Sequence, residues 1–356
     1  MNFDRVEKIA EAVLYEGYML YPYRPSSVKN RQRWNFGVLC PRSWSEHEQG
    51  SEAWTMQTEC LVKAGSSARL TVKVRFLQIV QRAIGTLHTP RHEMPVGAKP
   101  EFDLVDHLEI GGRVFRPWQE AAEREHTSAA MSLDSLASQP KVMLAFPAGE
   151  QVEYLNDEQG RAAGVAIRCW ETLNGSVEFD ACPVDWETGA EGVFKVTVRV
   201  SNLTPFASER VDSREAALPF SLVSAHTILG IEDGEFVSLL EPPAGFEAAA
   251  ATCRNLGTWP VLAGDGTETM LSSPIILYDH PQVAEESAGN LFDATEIDEI
   301  LTLRILTLTE EEKREMRQSD ERARAILDRT ETLPREQFMK LHGVLRGLTP
   351  LPEEQP

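Results

Sequence analysis

The sequence is short of several things, and each shortage removes a class of function. Basic charge is scarce: 35 Lys and Arg stand against 55 Asp and Glu, a formal charge of -20 at pH 7. The summed field therefore repels phosphate and gives no nonspecific hold on nucleic acid or on an anionic membrane surface. Long apolar runs are missing, for none approaches the ~18 residues that a bilayer span requires. Met1 to Leu14 shows neither the basic start nor the apolar stretch of a secretory signal. No membrane insertion is expected. Cysteine is sparse as well: Cys40, Cys60, Cys169, Cys182 and Cys253 are scattered and odd in number, which fits reduced thiols and a cytoplasmic location better than a disulfide framework.

Familiar catalytic signatures are also absent. No G-x-x-x-x-G-K-S/T supplies the backbone cradle and lysine that hold nucleotide phosphates, no G-x-G-x-x-G opens a βαβ unit, and no G-x-S-x-G sets a serine on a nucleophile elbow. Without C-x-x-C or H-E-x-x-H, local sequence completes no tetrahedral metal site. His88 and His92 have helical ligand spacing, but Pro90 between them breaks that geometry. His226 lies in an apolar run beyond Ser224. It reads as a core histidine, because no third group completes a serine relay. The chain is expected to be non-enzymatic and to need no cofactor.

What is present suits a folded protein. Hydrophobic residues make up 42% of the 356 positions and charged residues 25%, enough for roughly two domains and a tail. Val6, Ile9, Ala10 and Val13 predict a short amphipathic helix with Asp4 as its cap. Tyr21 to Phe36, broken by prolines, predicts an ordered loop. Thr55 to Lys63 and Leu70 to Val80 flank Ala64-Gly65-Ser66-Ser67-Ala68 and read as a hairpin. A second hairpin turns at Gly111-Gly112, between Leu104 to Ile110 and Arg113 to Phe115, and a helix is expected around Trp118 to Ala130. From Lys141 to Glu241 strand-like runs recur about every ten residues, with Asn174-Gly175 as a turn. Phe194, Val196, Val198 and Val200 share one strand face, opposite Lys195, Thr197 and Arg199. Ser273 to Asp279 reads as a strand and Glu310 to Leu327 as a helix capped by Thr309. Pro334 suits the start of another helix, to about Leu345.

Together these predict an α+β, mainly β fold: an antiparallel β-sandwich core with an N-terminal α+β region and a C-terminal helical tail. The expected divisions are 1–140 for the N-terminal region with its hairpins, 141–245 for the sandwich, 246–308 for a mixed region packing on the core, and 309–356 for the tail.

Two segments of opposite charge stand out. Between Tyr18 and Ser45 the cations Arg24, Lys29, Arg31, Arg33 and Arg42 occur with no acid among them. Tyr21, Tyr23 and Trp34 are interleaved, and guanidinium forks with aromatic rings are the side chains that grip carboxylates and anchor interfaces. Between Gln282 and Leu303 the acids Glu285, Glu286, Asp293, Glu296, Asp298 and Glu299 occur with no Lys or Arg. Two readings stay open: the basic segment binds a partner, or it pairs internally with these acids. Asp293, Glu296, Asp298 and Glu299 offer hard oxygen ligands to a divalent ion, although first-turn acids on a helix capped by Thr295 explain them more simply.

The phrases Tyr15-Glu-Gly-Tyr-Met-Leu-Tyr-Pro-Tyr-Arg-Pro-Ser-Ser-Val-Lys-Asn-Arg-Gln-Arg-Trp34 and Phe292-Asp-Ala-Thr-Glu-Ile-Asp-Glu-Ile-Leu-Thr-Leu-Arg304 resemble an uncharacterised bacterial family often encoded beside nickel–iron hydrogenase structural and maturation genes. The resemblance implies an accessory or assembly role and carries over no catalytic residues. The expectation is a protein partner, a hydrogenase subunit or maturation factor, bound through Tyr21, Tyr23, Arg24, Lys29, Arg31, Arg33 and Trp34. The competing expectations are a metal-dependent enzyme gathering Asp293, Glu296 and Asp298 with some of His88, His107, His226 or His280, and a small-ligand module with a deep pocket.

Overall fold

The computed structural model describes residues 3–16, 18, 33–92, 101–138, 141–184, 192–207, 213–282, 298–319 and 321–334. In chain order these form α1 (Asp4–Leu14), α2 (Arg42–His47), β1 (Thr55–Arg91), β2 (Phe102–Val105), β3 (Leu108–Ile110), β4 (Arg113–Phe115), β5 (Trp118–Thr127) and β6 (Met131–Ser132). There follow β7 (Val142–Phe146), β8 (Gly149–Asn156), β9 (Ala162–Trp170), β10 (Leu173–Pro183), β11 (Val193–Asn202), α3 (Arg214–Ala217), β12 (Val223–Val237), α4 (Glu247–Ala250), β13 (Trp259–Leu262) and β14 (Thr269–Ser273). The helices α5 (Asp298–Leu306), α6 (Glu310–Ser319) and α7 (Glu321–Glu331) complete the order. The fold is α+β and mainly β, and none of the described helices is long and apolar enough to cross a membrane.

One strand organises the sheet. β1 runs for 37 residues, against a usual five or six, and pairs antiparallel with six others. Where two partners meet the same residues of β1 they must lie on opposite edges. β11, β6, β5 and β2 thus follow one another along one edge, while β12 and β9 share the other. The path β13-β14-β12-β1-β11-β10-β7 continues outward from this spine, so strands from 1–140 and from 141–245 share one curled antiparallel sheet.

Residues at even positions along the middle of β1 (Leu70, Val72, Val74, Phe76) enter a dry core with Phe194, Val196, Val198 and Val200 of β11. Leu144 of β7 and Met270 of β14 join the same cluster. Curling brings these distant strands together: the Thr58 and Ser272 hydroxyls, on strands separated by β12, lie 2.7 Å apart. The other face is covered by separate pieces of chain. Val6, Ala10 and Val13 of α1 pack on Ile228 and Leu271. Tyr15, Tyr18, Trp34 and the apolar sides of α5 to α7 pack on Leu77 and Ile79.

Several expectations hold. α1, the Gly111-Gly112 turn with φ of 55° and 69°, and the shared face of Phe194 to Val200 are all present. Thr309 forms a reciprocal cap with Glu312, each backbone N–H reaching the other's side-chain oxygen (2.8 and 3.2 Å).

Others need correction. Ala64 to Ala68 is no hairpin turn: β1 continues through it, and the register against β12 shifts between Ala64 and Arg69, so the extra residues form an irregularity within one strand. Trp118 to Ala130 is not helical. Its Ala, Glu and Arg favour helix, but β5 finds ten partners on β1, and Glu123 and Glu125 meet Arg75, so tertiary pairing overrides a weak propensity. Asn174-Gly175 lies inside β10, where a Cβ on Gly175 would stand 3.0 Å from the Ser201 carbonyl; the glycine serves close strand approach. Asp4 occupies the first helical turn behind Phe3, with no side-chain cap. The strand expected at Ser273 to Asp279 ends at Ser273, before Pro274. The helix expected over Glu310 to Leu327 is two, α6 and α7, tied by Arg317 to Asp328 and Glu331. The helix expected behind Thr295 is present as α5 from Asp298, with Thr295 itself outside the described residues, and the helix expected from Pro334 lies largely outside them.

Candidate functional site

Tyr18 and Arg33 mark where the basic, aromatic stretch leaves the described chain and where it returns. Of the expected binding residues, Tyr21, Tyr23, Arg24, Lys29 and Arg31 lie outside the described residues. Arg33 and Trp34 are placed, and both are buried at 4% exposure. The Arg33 guanidinium rests 3.8 Å from the Trp118 ring centre, 4.6 Å from Trp34 and 5.3 Å from Tyr18. It donates to the Tyr18 carbonyl (3.0 Å) and the Gln119 carbonyl (2.5 Å). A desolvated cation is tolerable there because π faces and carbonyl dipoles replace its water.

Trp34 holds the left-handed region at φ 63°, a conformation that bulky residues avoid unless their surroundings fix it. Three contacts fix it here: its indole N–H donates to Gln119 Oε1 (3.0 Å), its ring meets Tyr18 edge-on, and its carbonyl accepts from Arg214 (2.7 Å). Arg214 is itself held by Glu52 at 2.7 Å. Arg33 and Trp34 therefore face the interior. They staple the two ends of the intervening stretch together, beside a cleft of about 240 Å³ that Arg214 and Glu215 help to line.

A polar network joins this base to the tail. Arg322 of α7 lies 3.9 Å from the Tyr15 ring centre and 5.6 Å from that of Tyr18, and reaches both the Tyr15 hydroxyl and Glu123. Tyr15 donates to Glu123 (2.7 Å), and burial, together with that carboxylate, raises its pKa. Arg75, buried on β1, pairs with Glu123 at 3.3 Å and is in register with His226 on β12. The register between β1 and β12 shifts again between Arg75 and Leu77, whose partners are His226 and Val223, and Ser224 in the intervening residues sits at φ 53° with its hydroxyl donating to the Val13 carbonyl. His226 Nδ1 donates to the Ser224 carbonyl (2.9 Å), while Nε2 has no hydrogen-bond partner among the described residues. Burial, with Arg75 adding to it, pushes His226 down to about 4, so the ring is neutral near pH 7. Arg75, Glu123 and Arg322 come from β1, β5 and α7 and Tyr15 from the residue after α1, and no local spacing in the sequence signals the group.

The remaining expectations are dispersed. Asp298 and Glu299 stand at the described start of α5, while Asp293 and Glu296 lie outside the described residues. His88 pairs with Asp103 (3.2 Å), His280 contacts the Gly264 carbonyl (2.9 Å), and His107 is exposed before β3. Among the described residues no three His, Cys, Asp or Glu side chains gather as a metal site would require. No protein-family model matches this chain, and no curated protein matches it.

Proposed function

We propose that this chain is a non-enzymatic accessory or assembly protein that docks a protein partner through its Arg/aromatic segment. The resemblance noted in the sequence suggests hydrogenase biogenesis as the setting, with a hydrogenase subunit or maturation factor as the partner. A single observation supports the reading: Arg33 clamps the Tyr18 carbonyl and stacks beside Trp34 and Trp118. The ends of a cation- and tyrosine-bearing stretch are thereby fixed at one point of a rigid sheet. Closing such a stretch beforehand lowers the entropy lost on binding.

Arg33 and Trp34 then act as anchors, and Tyr21, Tyr23, Arg24, Lys29 and Arg31 make the contacts. The matching surface on the partner is acidic, because Arg24, Lys29 and Arg31 occur with no acid among them and such cations grip carboxylates. We place this encounter in the cytoplasm, where the five free thiols stay reduced. The test is co-purification with tagged hydrogenase subunits and maturation factors. Replacing Arg24, Lys29 and Arg31 together with alanine should abolish capture and leave the melting temperature unchanged. Undiminished capture by a folded triple variant would falsify the reading.

A further inference from the structure

Two of the five thiols lie in the neighbourhood of Lys195 and Glu59 at a corner of the sheet. Cys182, near the end of β10, is in register with Lys195 of β11, which is in register with Leu61 of β1. Directly opposed residues share a face, so these three side chains form a row on one surface of the sheet. Cys182 Sγ lies 3.8 Å from the Lys195 carbonyl. The Lys195 ammonium reaches Glu59 Oε2 at 3.6 Å, and that same oxygen accepts the backbone N–H of Arg254 at 2.8 Å. Cys253, the residue before Arg254, is thereby drawn to the same carboxylate, and it packs beside Leu61 and Val193 on that face.

The other cysteines are placed differently. Cys60 enters the dry core on the opposite face, Cys40 is buried, and Cys169 sits on β9 beside Glu150 (3.8 Å). Cys182 is exposed and Cys253 half-buried, the arrangement of an attacked thiol with a second, sheltered one behind it.

We infer that Cys182 and Cys253 form a redox-responsive dithiol that closes into an intramolecular disulfide under a low-molecular-weight disulfide such as oxidised glutathione. The Cys182 thiolate attacks one glutathione sulfur, forming a mixed disulfide and releasing one glutathione thiolate. The Cys253 thiolate then attacks Cys182 Sγ, forming the internal bond and releasing the second glutathione thiolate. Both cysteine protons pass to the departing thiolates, so two protein thiols are oxidised and one glutathione disulfide is reduced to two thiols. The second step is the slow one: burial, then the Glu59 carboxylate, pushes the Cys253 thiol up to about 11, with Lys195 opposing them. The product ties β10 to the connection between α4 and β13, across a long loop whose closure restrains the unfolded chain.

The test treats the full-length protein with oxidised glutathione and maps its peptides by mass spectrometry. A peptide joining Cys182 to Cys253 is expected, two hydrogens lighter and reversed by dithiothreitol. Its rate of formation should rise between pH 7 and pH 9, and the oxidised protein should melt at a higher temperature. Cys253→Ser should instead trap glutathione on Cys182. Glutathione retained separately on both cysteines, a Cys182-linked dimer on a non-reducing gel, or an unreacted Cys182 would each overturn the inference; glutathione on exposed Cys169 confirms that the reagent was active.

Discussion

Arg75 and Phe76 are adjacent on β1, yet their side chains enter opposite kinds of interior. Phe76 is fully buried and meets Phe146 edge-on, with ring centres 5.2 Å apart, in a core that the sheet makes by curling on itself. Arg75 is also buried, but beneath chain segments brought in from both ends of the protein, and it is held by Glu123 beside His226. The first face needs only apolar side chains of suitable volume. The second needs particular donors at particular places, because each buried charge must find a replacement for water. The fold therefore rests on one face, and the base of the basic, aromatic stretch is built into the other.

The contrast can be broken most strongly from the apolar side. Phe76→Ala should cost about 4 kcal/mol of unfolding free energy in urea, since neighbours on several strands cannot all collapse into the space. Arg33→Ala on the polar face should cost about 3 kcal/mol, by leaving the Tyr18 and Gln119 carbonyls unsatisfied. Arg33→Lys should recover little of this, because an ammonium lacks the planar fork that spans both carbonyls while lying over rings. Full recovery by lysine would reduce the staple to a simple charge.

Acid should discriminate between the faces, because it acts on the polar one. Folding lowers the His226 pKa from an ordinary 6.5 to about 4, so the unfolded chain binds this proton more readily. Its contribution is intact above pH 6.5, falls as the pH drops from 6.5 towards 4, and is flat below that. The loss over this window is about 3 kcal/mol. His226→Leu should flatten that slope relative to the parent protein, as followed by urea unfolding across the window. The smallest effect belongs to the tail, where Thr309→Ala should cost about 1 kcal/mol through loss of the reciprocal cap, measured as a lower melting temperature.

Local chemistry was legible in the sequence, and long-range pairing was not. The alternation from Phe194 to Val200, the paired glycines before Arg113 and the cap at Thr309 each depend on residues a few positions apart. β5 does not show in the sequence, because Glu-Ala-Ala-Glu-Arg favours helix until Arg75 and Arg82 of β1 are set opposite its acids. The small polar residues from Gly65 to Ser67 resemble a turn unless one knows that β12 passes alongside. Both charged segments were visible as composition. That Arg33 turns inward depends on Trp118 and Gln119, far along the chain and within a stretch expected to be helical.

The length of β1 bears on how the molecule is made. Leu61 must wait for Val237, and Leu77 for Val223, before that edge is closed. At ordinary ribosomal speed the interval is roughly 10 to 30 s. Throughout it a newly synthesised β1 offers unsatisfied ladder groups along most of one side, an invitation to the wrong strand. A cell that overproduces this protein should therefore lose much of it to inclusion bodies unless a chaperone shields the nascent chain until β12 emerges.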